Sequence, residues 1–148
     1  MSEAPMLDSS MDRYLYDPAD PTPAIGGALL DRKGAGPKDN RLLEARHDVL
    51  CYTTPPLEND VEVIGPVRLA LFVRSTLAHT DFFARLCRVD TKGHSMNVCD
   101  GLFRIEPGKG ELQPDGSLRI EVDMWATAYS FRHGHHLRLQ ISSGAHPR

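Results

Sequence analysis

The chain is predicted to fold as an all-β sandwich of about eight antiparallel strands, and three observations carry that prediction. Apolar and polar residues alternate with a period of 2 in successive runs from Arg46 onward. Turn-forming clusters punctuate those runs at short spacing. No window of a dozen residues carries a helical apolar stripe. With 148 residues, 41% apolar and 25% charged, the composition is that of one ordinary globular domain. A body of this size hides roughly 70% of the surface its unfolded chain exposes.

Residues 1–40 hold many of the prolines, the pair Gly26-Gly27 and the run RKGAGPKDN, and show neither period. They are read as an irregular arm of the same domain, followed by the sandwich over residues 41–148. Within the sandwich, Val67, Leu69, Leu71 and Val73 share one face of a strand. Leu118, Ile120, Val122 and Met124 do the same in a second, and Leu137, Leu139 and Ile141 in a third. Turns are expected at Pro55-Pro56, Gly65-Pro66, Thr91-Lys92-Gly93, Pro107 to Gly110 and Pro114-Asp115-Gly116. The run Phe82 to Val89 is apolar on both parities apart from Arg85 and Arg88, as suits a central strand packed on both sides. In the next run the apolar parity changes from Met96 and Val98 to Phe103 and Ile105, so a bulge is expected at Asp100-Gly101.

The net charge of −3, with both signs interleaved, offers no basic stripe for phosphate backbones and no polybasic anchor for lipid. No stretch nears the ~20 apolar residues of a membrane span, and the start MSEAPMLDSSMDR lacks the basic end and apolar run of a signal peptide. Cys51, Cys87 and Cys99 are odd in number, lie in apolar runs and have no C-x-x-C spacing. They are read as reduced, half-buried packing residues of a cytoplasmic protein.

Residues 93–97, GHSMN, fall one position short of G-x-S-x-G, the turn on which many hydrolases mount a nucleophilic serine. That turn needs a strand before the serine and a helix after it. Here a second strand, MNVCDGLFRI, follows, so Ser95 reads as a polar residue leaving a hairpin whose turn takes Gly93. Composition alone leaves a triad open, since acids and histidines follow in the order Ser, Asp, His. The cluster His133, His135 and His136 would serve a metal only if the side chains converged, yet neighbours on a strand point to opposite faces. Asp81 is either a ligand-site carboxylate or the opening residue of an apolar strand, bonded to nearby amides. Trp125 breaks the polar parity of Arg119, Glu121 and Asp123, and either packs under a neighbouring element or marks an interface.

Several segments, in order, resemble the C-terminal domain of the cocaine esterase and X-Pro dipeptidyl-peptidase family, the CocE/NonD hydrolases. They are YLYDPADPTPAIGG, RHDVLCYTTPPLENDVEVIGPVRLALFVRS, HTDFFARLCRVDTKGHSMNVCDGLFR and AYSFRHGHHLRLQISS. The resemblance implies a jelly-roll sandwich of the galactose-binding-like type, without cofactor, whose Ser-Asp-His triad belongs to a separate α/β-hydrolase domain. No catalytic residue of the family falls on this chain. The stretch Ile25 to Leu30 resembles the family segment that faces the catalytic domain near the acyl pocket, which makes Leu29 and Leu30 the pocket-wall residues. Asp31 stands where an apolar neighbour is expected. Relative to the family, the chain is expected to lack the hydrolase domain, an opening strand and the final strand. It is therefore expected to dock on a hydrolase domain or subunit, or to form a homo-oligomer. Two other classes compete: a free-standing carbohydrate- or ligand-binding jelly roll, and a small metalloenzyme built on the histidine cluster.

Overall fold

A computed structural model of the protein describes residues 10–30 and 33–146. Seven strands and one helical turn are found among them. The turn α1 (Arg41–Glu44) is followed by β1 (Leu50–Thr53), β2 (Val61–Val73), β3 (Thr80–Val89), β4 (Ser95–Ile105), β5 (Glu111–Leu112), β6 (Leu118–Phe131) and β7 (His136–Ser142). They form two antiparallel sheets, ordered β1-β7-β3-β4 and β2-β6-β5, and the β-sandwich is as expected.

The alternating residues become the core between the sheets. Phe82, Ala84, Ile105, Ile120, Val122, Met124 and Ile141 form a buried cluster against which Val67, Leu69, Leu71, Leu118 and Leu139 pack. Each large side chain so buried contributes about 1.5–3 kcal/mol of transfer free energy. The turns fall at the glycines, except that the turn expected at Gly65-Pro66 is not formed: β2 runs through both residues, which pair with Thr127 and Ala126. Gly93 closes the hairpin with its amide on the Asp90 carbonyl and a φ of 85°, and Gly116 does the same on Gln113 at 80°.

β3 is the central strand of its sheet, hydrogen-bonded to β7 on one side and β4 on the other. Its second face, carrying Phe83, Arg85, Cys87 and Val89, is also buried. The cover there is the proline arm together with α1. Tyr14 bonds Ser143 at 2.7 Å, and Thr22 donates to the buried Asp48 at 2.7 Å. The arm backbone bridges residue 146 through Ala24 N to His146 O and His146 N to Thr22 O. Arg46 completes this anchor by reaching both Asp48 (2.7 Å) and Asp20 (3.1 Å).

The parity change in β4 is real, but the bulge lies earlier than the sequence suggests. Leu86 pairs with Cys99 and Cys87 with Asn97, so Val98 is the extra residue. Gly101 is needed for another reason. A Cβ there would lie 2.0 Å from the Asp123 carbonyl oxygen, because β6 of the other sheet crosses directly over it.

The cysteines divide by position. Cys87 is buried, Cys99 half-buried and Cys51 exposed, which corrects the uniform half-buried reading. Burial pushes the Cys87 thiol up to about 12 and the Cys99 thiol up to about 11, and it also raises Cys51. Only the thiolate reacts with alkylating reagents. Iodoacetamide at neutral pH should therefore modify one thiol slowly in the folded chain, at Cys51, and three after denaturation, as peptide mass mapping would show.

Candidate functional site

Where β3 and β4 lie under the arm, a buried cation organises the surface. Arg85, 1% exposed, extends its guanidinium from the outer face of β3. Nε and Nη2 donate to Asp100 Oδ2 of β4 at 3.2 and 2.9 Å. Nη1 donates to Asn40 Oδ1 at 2.8 Å and to the Ile25 carbonyl, and Nη2 reaches the Gly26 carbonyl at 3.3 Å. The planar fork thus satisfies its donors with one carboxylate, one amide and two successive arm carbonyls, and its face lies 5.2 Å from the Phe83 ring. A buried charge without such partners would be strongly unfavourable.

The glycine pair Gly26-Gly27 fits this clamp and nothing larger does. Gly26 and Gly27 have φ of 68° and 81°, in the left-handed region. A Cβ on Gly26 would lie 2.6 Å from Asn97 Oδ1 and from the Gly36 carbonyl, and one on Gly27 would lie 2.5 Å from Asp100 Oδ2. Asn97 supports the other limb of the loop, accepting from the Lys38 amide at 2.8 Å and donating to the Gly36 carbonyl at 3.2 Å. Gly27 and Gly36 exchange backbone bonds of 2.8 and 2.9 Å, so the segment between them has a closed neck. Beyond the neck, Leu29 is half-buried and Leu30 fully exposed. The two residues predicted as pocket wall thus sit side by side on a loop whose base is fixed, while Asp31 lies outside the described residues.

Sequence reasoning found the loop and missed its clamp. The signal was present, since Arg85 is a charge inside an otherwise apolar run. Its partners, however, lie 15, 45 and 60 residues away in sequence.

The other candidates resolve individually. Ser95 is buried at the start of β4, with a strand behind it, and its hydroxyl donates to Glu44 Oε1 at 2.5 Å. The same carboxylate receives Arg138 (2.5 Å) and Gln140 (2.7 Å), so Ser95 belongs to a structural polar network under α1 rather than to a triad. His94 is taken by Asp90 at 3.0 Å. Of the histidine cluster, His136 Nδ1 bonds the Thr54 carbonyl at 2.7 Å, His133 bonds Asp60 through its amide, and His135 Nδ1 is buried without a partner. No three His, Cys, Asp or Glu side chains among the described residues are placed to hold a metal. Asp81 forms a two-bond pair with Arg104 on the neighbouring strand, each bond 2.7 Å. Trp125 does not pack under a neighbour; it is 73% exposed.

Asp48, in the arm anchor, is held below its ordinary value of 3.8, chiefly by the bond from Arg46 and also by Thr22. At Asp90, burial raises the carboxyl, but bonds from the His94 amide and ring and the Lys92 amide outweigh it and bring the value to about 2. Both pKa values are depressed in the folded state. Their stabilisation is present above pH 4 and is lost as pH falls toward 2, because the unfolded chain then binds more protons. A plot of melting temperature against pH should decline across that window and recover on neutralisation.

Two antiparallel sheets with a clamped loop and a serine engaged in a structural network define a β-sandwich module. Residues 2–148 match the model of the X-Pro dipeptidyl-peptidase C-terminal non-catalytic domain, and the chain belongs to that family. It is 42% identical over 145 residues to the cocaine esterase of Rhodococcus sp. (strain MB1 Bresler), covering 94% of this chain and 25% of that protein. It superposes on a structure of an α-amino acid ester hydrolase with a TM-score of 0.75 at 21% identity, covering 90% of this chain and 25% of that one. An aminopeptidase from a marine sediment archaeon, Thaumarchaeota archaeon, gives a TM-score of 0.64 at 23% identity, covering 74% of this chain and 20% of that one. The chain spans about a quarter of the length of the curated relatives it matches. No helix among the described residues is long and apolar enough to cross a membrane.

Proposed function

We propose that this module shapes the substrate pocket of an α/β-type serine hydrolase acting on esters, amides or X-Pro dipeptides, with the catalytic body on the side of the arm loop. The observation that carries this reading is the pairing of a rigid base with an unpartnered apolar tip. Arg85, Asp100 and Asn97 fix Gly26 and Gly27, and Leu30 projects fully exposed just beyond them. An apolar side chain so placed would gain by burial against a body packed on the loop. Leu29 and Leu30 then contribute apolar wall, while nucleophile, base and oxyanion donors come from the catalytic body. The unpaired thiols fit a reducing, cytoplasmic setting.

Two measurements test this. The purified chain should not hydrolyse an activated ester above the buffer rate, and Ser95→Ala should leave that rate unchanged. Turnover abolished in the variant would overturn the non-catalytic role. In a chimaera carrying this chain in place of the matching quarter of the Rhodococcus esterase, Leu30→Ala should alter kcat/KM between short and long acyl esters by about tenfold, the scale expected for altered apolar contacts in a pocket. An unchanged ratio for both Leu29→Ala and Leu30→Ala would remove these residues from the wall.

A further inference from the structure

At the end of the sandwich where the β3–β4 and β6–β7 hairpins turn, one arginine lacks what the others have. Arg68, Arg85, Arg104, Arg119 and Arg138, the other arginines carried on strands, each have a carboxylate at 3.8 Å or less. Arg88 of β3 has none among the described residues. Its parity with Phe82, Ala84 and Leu86 sets it on the inner face of β3, between the sheets. Directly opposite it stand Met96 of β4 and Leu137 of β7, neither of which offers a side-chain oxygen. The side chain is half-buried, and its Nε is sealed from solvent without a hydrogen-bond partner.

A second unpaired nitrogen lies diagonally across from it. His135, just before β7, precedes Leu137 by two residues and so keeps to the same face. Its backbone is fixed there, the carbonyl accepting from the Leu57 amide at 2.8 Å and the amide donating to the Arg132 carbonyl at 3.0 Å. Diagonal neighbours on one face of an antiparallel pair stand ~7–8 Å apart, within reach of a long side chain. His135 Nδ1 is buried and, like Arg88 Nε, has no partner. Asp90, the carboxylate two residues beyond Arg88, does not serve either of them. Its Oδ1 accepts the Lys92 and His94 amides, each at 2.9 Å, and its Oδ2 meets the His94 ring at 3.0 Å. Buried polar groups left unpaired are unfavourable and mark places where a water or an ion belongs. A water would satisfy the nitrogens and leave the charge, whereas an anion answers both.

We infer that Arg88 and His135 bind a small carboxylate anion, of the class of formate and acetate. The planar carboxylate matches the edge of the guanidinium, one oxygen accepting from Nε and the other from the neighbouring Nη. His135 Nδ1 supplies a further donor in the tautomer that carries its hydrogen there. Met96 and Leu137 flank the arginine with apolar atoms, which strengthens charge-assisted bonds formed beside them. A tetrahedral dianion such as phosphate would bring a second charge into the layer with Arg88 alone to balance it. An anion of three or four heavy atoms has little surface to bury, so a Kd of ~1 mM is expected. The site lies on the inner face of β3 and does not depend on the pocket-wall reading, which concerns the arm loop.

Heteronuclear NMR of the full chain reads both nitrogens directly. Exchanging chloride for acetate at constant ionic strength and pH should move the Arg88 Nε–H and His135 ring resonances together, saturating with one Kd. Arg88→Met should abolish the His135 response. Because it removes an unpaired charge from between the sheets, that variant should melt no lower than the parent in chloride. Acetate at ~100 times Kd should raise the melting temperature of the parent by about 5–10 °C and leave that of Arg88→Met unmoved. Should Arg88→Met fail to fold, His135→Phe decides: the Arg88 response should persist with a Kd weakened about tenfold. An unchanged Kd in that variant would overturn the pairing of the two residues. Resonances that stay put in acetate would overturn the inference, leaving buried water as the partner of both nitrogens. So would a response that survives Arg88→Met, or tighter binding of inorganic phosphate than of acetate.

Discussion

Replacing Arg85 by alanine is expected to lower the unfolding free energy by about 3–5 kcal/mol, the range for breaking a buried ion pair by removing one member. The loss has identifiable parts. Asp100, 6% exposed, would lose both guanidinium bonds, and the Ile25 and Gly26 carbonyls would lose the donors that hold the arm. Against a typical domain stability of about 5–15 kcal/mol, this is a large share of the total. Urea unfolding followed by circular dichroism would measure it. Arg85→Lys should recover little, because a point ammonium cannot bond two carbonyls, an amide and a carboxylate with one planar fork. Hydrogen exchange distinguishes the clamp from general packing: in a folded Arg85→Lys variant, the Gly27 and Gly36 amides should exchange faster while the β6 amides stay protected. If the lysine variant matches the parent in both stability and exchange, the clamp does not hold the loop.

Gly101→Ala is the other substitution expected to be severe. Its Cβ would sit 2.0 Å from the Asp123 carbonyl oxygen and 2.8 Å from the carbonyl carbon, both of them backbone atoms of β6. No rotamer relieves that overlap, so the sheets must separate locally. Overpacking in cores commonly costs about 1–3 kcal/mol, and this case belongs at or above the upper end because backbone has to yield. A melting temperature within a degree or two of the parent would show that the two strands are not in contact at this point.

The sandwich was legible because its information is local. Leu118, Ile120, Val122 and Met124 declare a one-sided strand by their spacing alone, and Gly93 and Gly116 mark turns that only a positive φ completes. The bulge in β4 was legible as an event but not as a position. The glycine at 101 invited the assignment, whereas the ladder slips at Val98 and Gly101 answers to a strand in the other sheet. The exposed loop was legible through Gly26-Gly27 and the family resemblance. Its anchoring was not, because Arg85, Asn40, Asn97 and Asp100 acquire their meaning only when segments up to 60 residues apart meet. Trp125 could be read as anomalous from its parity, but the choice between core and surface is made by the sign of one backbone angle, which the residue type opposes.

The covering of β3 by the arm bears on how the protein survives its own fluctuations. An aliphatic seam beneath a lifting flap becomes adhesive whenever the flap opens, and chains in that condition coalesce. Here the uncovered strip would present Phe83, Cys87 and Val89, interrupted by Arg85, Asp100, Asn97 and Gln140, which water solvates readily. Each transient opening of the arm therefore bares an apolar seam broken by a charge pair and two amides, which is less adhesive than an unbroken one.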